Sequence, residues 1–313
     1  MSKHLGALDF ASHFGVGPEG VSAEVRNVIE SSNLGLGELD QMARDQVLLA
    51  CLKRIRDDKQ IVGDPSRTAV WEKGWRENLD SFSNSGSEGS LVPKFLRAGQ
   101  PIRWEGEFYT PDAPNFEVQY FDVLREYIFS IFAEKGIQEI HEFGAGTGWN
   151  LVHAGKRFGP TVRLVGSDFV PSSVELMRSV SSTLGIPIES RLFDMLNPDL
   201  SYEFREPSKS VVFTSGALEQ LAGDLEPMID FIIARKPSLV VNVEPASETY
   251  NLDSLVDYLG HWFQSKRGYS SGLIDLLRER EAAGKVNVEK IKRLGFGSMM
   301  MEGFNLFIWS PAR

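Results

Sequence analysis

The sequence predicts an α/β fold: a parallel sheet covered by helices on both faces and closed by an antiparallel hairpin, preceded by a mainly helical N-terminal region. Three observations lead there. From residue 137 onward, short β-rich runs alternate with helical ones. The last two strand-like runs have no helix between them, which makes a hairpin at a sheet edge. The first 114 residues carry apolar side chains mostly at helical spacing. The chain is therefore divided into residues 1–114 and 115–313.

In order along the chain, residues 37–59 place Leu39, Met42, Leu48, Leu52 and Ile55 on one helical face, and residues 68–82 do the same with Trp71, Trp75 and Leu79. The run 83–90 is a loop by its Ser and Gly content. Residues 91–114 hold Pro93, Pro101, Pro111 and Pro114, and so read as a segment crossing the surface rather than building core. A strong helix starts at Asn115 and stops at Gly136. Strands are expected at 137–143, 162–168, 188–194, 210–214 and 238–244, with helices at 149–158, 172–184, 221–235 and 251–265. Continuous apolar strands of this kind are covered on both faces. Residues 285–296 and 305–309 form the closing hairpin.

Composition narrows the class. Of 313 residues, 42% are hydrophobic and 24% charged, and 43 acidic against 33 basic side chains give a formal net charge of −10. This describes a globular chain and disfavours nucleic-acid binding, which wants a clustered basic footprint. No stretch approaches the ~20 apolar residues needed to cross a bilayer, and no signal peptide is read at the start, so the expected compartment is the cytoplasm. The single cysteine, Cys51, lies in an apolar run and reads as a buried, inert thiol.

The most informative segment is Ile140-His141-Glu142-Phe143-Gly144-Ala145-Gly146-Thr147-Gly148-Trp149-Asn150-Leu151, a strand feeding three alternating glycines and then a helix. Glycine takes positive φ and lets a ligand approach the backbone, while a helix start offers unpaired N–H groups. The spacing is G-x-G-x-G, and Trp149 stands where a dinucleotide fingerprint needs glycine, so a pyrophosphate cradle is disfavoured. Asp168 ends the second strand twenty residues after Gly148, where a carboxylate can accept from both hydroxyls of a ribose. Asp194 closes the third strand. Any one such acid can be a helix cap, but Glu142, Asp168 and Asp194 together with the loop are harder to explain by capping.

At these residues the sequence resembles the class I S-adenosylmethionine-dependent methyltransferases, whose Rossmann-like sheet also ends in an antiparallel hairpin. The resemblance covers residues 137–313. It implies S-adenosylmethionine as cofactor, with Glu142 near the methionine end, Gly144, Gly146 and Gly148 giving its backbone room, and Asp168 on the ribose hydroxyls. It implies Phe169 beside the adenine, with Asp194 and the Met195 backbone reading the adenine edge, and residues 1–114 as a lid or substrate platform. The runs Trp71–Trp75 (WEKGW), Val92–Phe95 (VPKF), Val243–Pro245 (VEP), Lys266–Tyr269 (KRGY) and Met301–Gly303 (MEG) look like a bacterial subgroup with an added N-terminal region.

Methyl transfer depends on in-line positioning and needs a base only when the acceptor carries a proton. Thr214, Ser215, Glu219 and Gln220 are expected at the carboxyl edge facing the transferable group. Glu219 is the candidate base or substrate clamp, with helix capping as its alternative. Glu244 is a second candidate, and Arg267 and Tyr269 fit an acidic or hydroxylated small-molecule acceptor or else a solvated loop. Trp104, Phe108 and Tyr109 either pack in the core or close over the cofactor. Asn150 is a candidate for holding the cofactor's amino-acid end. If that amine attacked its own γ-carbon, the products would be methylthioadenosine and azetidine-2-carboxylate, an alternative activity known in proteins of similar fold. A third alternative, from a different class, is a non-catalytic cofactor sensor. His141 reads as structural, no histidine has metal-ligand spacing, and no metal is predicted. The oligomeric state is not read from the sequence.

Overall fold

The computed structural model describes residues 2–63 and 66–313. The N-terminal region opens with β1 (Ser2–His4), α1 (Ala7–Phe14), α2 (Ala23–Ser31), β2 (Gly35–Glu38), α3 (Gln41–Asp57) and α4 (Ser66–Ser85). Then follow β3 (Ile102–Trp104), β4 (Glu107–Pro111) and α5 (Phe116–Glu134). The remainder alternates: β5 (Glu139–Phe143), α6 (Trp149–Phe158), β6 (Arg163–Asp168), α7 (Pro171–Leu184), β7 (Ile188–Leu192), β8 (Ser210–Ser215), α8 (Glu226–Arg235) and β9 (Leu239–Glu244). It ends with α9 (Leu255–Arg267), α10 (Leu273–Ala282), β10 (Val286–Lys292), β11 (Phe296–Ser298) and β12 (Asn305–Pro311).

Local chemistry sets several of these ends. The Asp40 carboxylate accepts from the Ala43 N–H at 2.8 Å, and Ser22 Oγ from the Val25 N–H at 3.3 Å, so α3 and α2 each start on a side-chain cap. Helix α7 starts with Pro171 in its first turn, where no N–H is needed. Helix α3 begins later than the periodicity predicts, because residues 36–38 pair with β4 instead.

The large sheet has the order β10-β12-β9-β8-β5-β6-β7. Strands β9, β8, β5, β6 and β7 run parallel, and β12 and β10 close the edge antiparallel, as the absence of a helix between residues 296 and 305 predicts. All residues of β5 and β9 are buried, the expected state for strands sandwiched between helix layers. Helix α10 was not expected from the sequence; Leu273, Ile274, Leu276 and Leu277 bury it beside Val286 and Trp309.

The N-terminal region is mainly helical but also builds a second, antiparallel sheet of order β1-β2-β4-β3-β11, with β11 supplied from residues 296–298. This corrects the reading of residues 91–114 as a surface crossing. Glu105 and Gly106 both take positive φ (49° and 85°) between the paired Trp104 and Glu107, a two-residue hairpin turn that follows the strand twist. Pro101 precedes β3 and Pro111 ends β4, so neither removes a donor from mid-strand. Ile102, Trp104 and Phe108 are buried. Trp104 packs against Phe10, Tyr120 and Phe296, and Arg103 lies over the Phe108 ring, so Trp104 and Phe108 are core residues. Cys51 is buried as expected; its thiol donates to the Met299 carbonyl, and burial raises its pKa.

His13 stacks on Trp104 at 4.3 Å and meets the Tyr120 hydroxyl at 2.7 Å. Burial, with Lys292 adding to it, pushes its imidazole from 6.5 down to about 3. Between these values the unfolded chain binds a proton that the folded one refuses, so stability falls as pH drops below 6.5. By pH 5 the loss from His13 is about 2 kcal/mol, at 1.36 kcal/mol per unit. Urea unfolding at pH 7 and pH 5 measures it, and a His13→Gln variant is expected to lose correspondingly less between the two.

Candidate active site

The carboxyl ends of the parallel strands collect the acids that the sequence singles out. Glu142 lies near the end of β5, Asp168 ends β6, Ser215 ends β8 and Glu244 ends β9. Between β5 and α6 the three glycines take φ of 70°, 55° and 73°. A Cβ on Gly144 would stand 2.3 Å from the Ala217 Cβ, on Gly146 2.8 Å from the Trp75 ring, and on Gly148 2.9 Å from Met177 Cγ. The glycines are thus required both by backbone conformation and by what packs against them.

The Asp168 carboxylate reaches back to the loop, accepting from the Gly146 N–H at 2.8 Å and from the Val170 N–H at 3.2 Å. Burial raises its pKa to about 6 against the pull of these bonds. Phe169, next along, is 38% exposed. Asp194 lies two residues beyond β7, not within it, and is exposed; it accepts from the Leu196 N–H and from Asn197 Nδ2, which closes a turn with no helix after it. Met195 is buried, its methyl 3.6 Å from where a Gly144 Cβ would be.

A chain of polar groups runs beneath the loop. Glu142 Oε1 accepts from Asn150 Nδ2 at 2.7 Å, and Asn150 Oδ1 accepts from Arg125 Nε at 3.0 Å. Arg125 Nη1 donates to Asp122 at 2.7 Å, and the guanidinium lies 4.2 Å over the Trp149 ring. Burial raises the Glu142 carboxyl to about 8. Among the described residues, Glu142 Oε2 and Arg125 Nη2 are buried and make no hydrogen bond.

The acceptor-side candidates are engaged within the protein. Glu244 is buried and accepts from the N–H groups of Ala217 and Leu218, which fixes the turn after Gly216 (φ 61°) and the 3-10 helix Leu218–Leu221 carrying Glu219 and Gln220. Burial pushes its carboxyl upward. Glu219 accepts from Gln220 Nε2, Tyr269 Oη accepts from Arg267, and Arg267 pairs with Asp58 at 2.7 Å. Across the loop, α4 is fastened to the start of α7. Glu72 accepts from the Ser172 N–H at 3.0 Å, and Arg76 bridges Glu72 and Glu175. Trp71 stacks on Trp75 at 5.4 Å.

Asp122, Arg125 and the packing of Trp75 on Gly146 were missed by sequence reasoning. The signal for Arg125 was a charge within the apolar stripe of the helix from residue 115; Trp75 had no local signal. His141 meets Glu139 at 3.0 Å and the Tyr202 hydroxyl at 2.8 Å deep in the sheet, a structural arrangement. No cluster of three or more His, Cys, Asp or Glu able to hold a metal occurs among the described residues. No described helix is long and apolar enough to cross a membrane.

The glycine loop between the first strand and helix of the large sheet, the strand-end acids beside it and the strand order describe one architecture. The fold is Rossmann-like. No protein-family profile and no curated protein matches the sequence. Among solved structures, the chain is similar to the [4+2]-cyclase SpnF, at 12% identity over 81% of this chain and 99% of that one, TM-score 0.49. It is similar to the plantazolicin methyltransferase BpumL, at 13% identity over 79% and 98%, TM-score 0.46. A third is geranyl diphosphate C-methyltransferase from Streptomyces coelicolor A3(2), at 13% identity over 76% and 98%, TM-score 0.44. All three scores lie below one half, and the fold is read from the strand order itself.

Proposed function

We propose that the chain is an S-adenosylmethionine-dependent methyltransferase acting on a small molecule such as a natural product or sugar. The observation that supports it most is the tether between Asp168 and the Gly146 N–H, which sets a strand-end carboxylate beside a positive-φ glycine loop at the carboxyl edge of the sheet. When bound, the cofactor supplies an electrophilic methyl group.

The chain's own residues do the rest. Asp168 accepts from the ribose hydroxyls, Phe169 flanks the adenine, and Asp194 and Met195 read its edge. Gly144, Gly146 and Gly148 admit the cofactor backbone, and Glu142 with Asn150 faces its amino-acid end. Ser215 and Glu219 face the transferable group, Tyr269 the acceptor, and Glu244 holds the turn that carries Glu219. Helix α4 excludes water from above the loop. Transfer then requires alignment, with Glu219 taking a proton only from an acceptor that carries one.

A second reading is favoured by one observation. The carboxyl with an unpartnered oxygen and a pKa raised to about 8 is Glu142, at the amino-acid end, whereas Glu244 and Glu219 are engaged. Glu142 can take the proton from the cofactor's amine; the nitrogen then bonds to the γ-carbon as the carbon–sulfur bond breaks. Methylthioadenosine leaves with that electron pair, and azetidine-2-carboxylate forms.

Incubation of the purified protein with S-adenosylmethionine alone, followed by mass spectrometry, separates the readings. The first expects S-adenosylhomocysteine only when an acceptor is added. Methylthioadenosine with an azetidine acid, formed without acceptor, assigns the second. Failure to bind the cofactor at millimolar concentration overturns both.

A further inference from the structure

We infer that the cavity between helix α1 and the start of α9 is a binding site for a small molecule bearing a phosphate or carboxylate group, held by the Lys292 ammonium, the His13 Nδ1–H and the first N–H groups of α9. The cavity has a volume of about 410 Å³, which suits a metabolite-sized ligand. Four segments meet there. Helix α1 supplies His13, the turn between β3 and β4 supplies Glu105, the start of α9 supplies Ser254 and Asp257, and the link from β10 to β11 supplies Lys292 and Arg293. None of these residues belongs to the site at the strand ends, and the inference stands apart from the cofactor reading.

Three observations carry it. The first is a buried donor left over. His13 is 3% exposed, and its Nε2 meets the hydroxyl of the fully buried Tyr120 at 2.7 Å. Burial holds that phenol well above its ordinary pKa of 10, so it keeps its proton, and Nε2 is the one acceptor it reaches among the described residues. Nε2 therefore accepts, and the hydrogen of the neutral imidazole sits on Nδ1. Nδ1 makes no hydrogen bond among the described residues, yet it is not sealed into the core, so it faces the cavity that His13 lines. A donor in that position calls for an acceptor from a ligand.

The second observation is an open helix start. Ser254 stands at the N-cap of α9 without making a side-chain cap bond. The Tyr258 N–H donates to Ser254 O at 2.8 Å, and the N–H groups of Leu255, Val256 and Asp257 have no acceptor among the described residues. Such a start favours an anion. The third is the balance of charge. Arg293 is engaged by Asp257 and Glu302, each at 2.7 Å, and Asp257 also accepts from the Asn251 N–H at 2.8 Å. Glu105 is exposed on the rim, in the field of Lys3. Lys292 pairs with no carboxylate among the described residues, and its charge reaches the His13 ring and lowers its pKa. An oxyanion answers the ammonium, the imidazole N–H and the helix start together, whereas a cation or a neutral alcohol leaves Lys292 uncompensated.

Thermal unfolding of the full chain with inorganic phosphate and, separately, acetate tests this, with sodium chloride at equal ionic strength as the blank. At about ten times its dissociation constant, a bound anion is expected to raise the melting temperature by about 2–5 °C. The tighter of the two anions names the group that the site prefers. Lys292→Met is expected to weaken binding roughly 10- to 100-fold, in keeping with loss of a hydrogen bond to a charged group, and Lys292→Arg to retain it. Lys53→Met, on the exposed face of α3, is the control and is expected to change nothing. No shift with either anion overturns the site, and so does a shift that survives Lys292→Met in full, which marks a salt effect on the whole surface.

A second readout places the anion. In protein labelled with nitrogen-15, the His13 ring nitrogens are read by NMR through the ring C–H protons and assigned by their absence from a His13→Gln variant. Titration of the wild type is expected to move Nδ1 more than Nε2, because Nε2 stays with Tyr120, and to do so with the same midpoint as the thermal titration. In Lys292→Met the midpoint is expected at roughly 10- to 100-fold higher anion concentration. A His13 signal that stays still while the melting temperature rises puts the anion elsewhere and overturns the assignment.

Discussion

Asp168→Ala is expected to lower affinity for S-adenosylhomocysteine by roughly 10- to 100-fold, at 1–3 kcal/mol for lost hydrogen bonds to a buried charged group, while changing thermal stability little. The two effects separate because the folded chain gains little from this carboxylate. Burial raises its pKa from 3.8 to about 6. A folded-state pKa above the unfolded one means that the folded chain binds a proton more readily between those values, so stability falls as pH rises from 3.8 to 6. Above pH 6 the ionised group costs about 3 kcal/mol at 1.36 kcal/mol per unit. Its removal relieves that cost but leaves the Gly146 and Val170 N–H groups without their acceptor, an opposing loss of about 1–3 kcal/mol each. Calorimetry and thermal unfolding on the same variant decide the matter. Weak binding with a nearly unchanged melting temperature marks a ligand-binding carboxylate, whereas unchanged affinity would leave Asp168 as a fastening of the loop alone.

Gly144→Ala is expected to destabilise the fold by about 2–5 kcal/mol. A non-glycine residue in the left-handed region costs roughly 1–2 kcal/mol. Overpacking adds about 1–3 kcal/mol, because the new Cβ would stand 2.3 Å from the Ala217 Cβ. Ala217 has little freedom to withdraw: its N–H is held by the buried Glu244 carboxylate, and the adjoining Gly216 N–H donates to Val243 O at 2.9 Å. Gly136→Ala is the matched comparison, with a similar φ of 61° and nothing within 4 Å of the added carbon, so only the conformational cost of roughly 1–2 kcal/mol applies. Urea unfolding midpoints at an unchanged slope give both values. Equal costs for the two substitutions would show that the loop after β8 moves aside.

Much of the large sheet was legible because its signals are local. Buried parallel strands are continuous apolar runs, and glycine at alternate positions after a strand marks a tight turn into the following helix. The small sheet was not legible. Its strands β3 and β11 are three residues long, too short for a period-2 pattern, and they pair across almost 200 residues of chain. The prolines of residues 91–114 look like breakers in the sequence, whereas Pro101 and Pro111 mark strand ends in the fold. Helix α10 is only ten residues long and is followed directly by a strand, so its apolar face, which joins the core cluster shared with α8 and the closing hairpin, stands out little from the run that follows.

The candidate site divides in the same way. By itself the sequence determined the order of elements, the three glycines, and the presence of carboxylates at strand ends, since each depends on residues within one strand–turn–helix unit. Only the tertiary structure decided what those carboxylates are free to do. Glu244 is saturated by N–H groups of the turn after β8, and Asp168 is tied to the loop. Glu142 keeps an unpartnered oxygen because the Asn150 amide reaches only one of its two and Arg125 reaches Asn150 instead. Hydrogen-bond capacity is settled by neighbours that are distant in sequence, which is why residue type and spacing could nominate these acids but could not rank them.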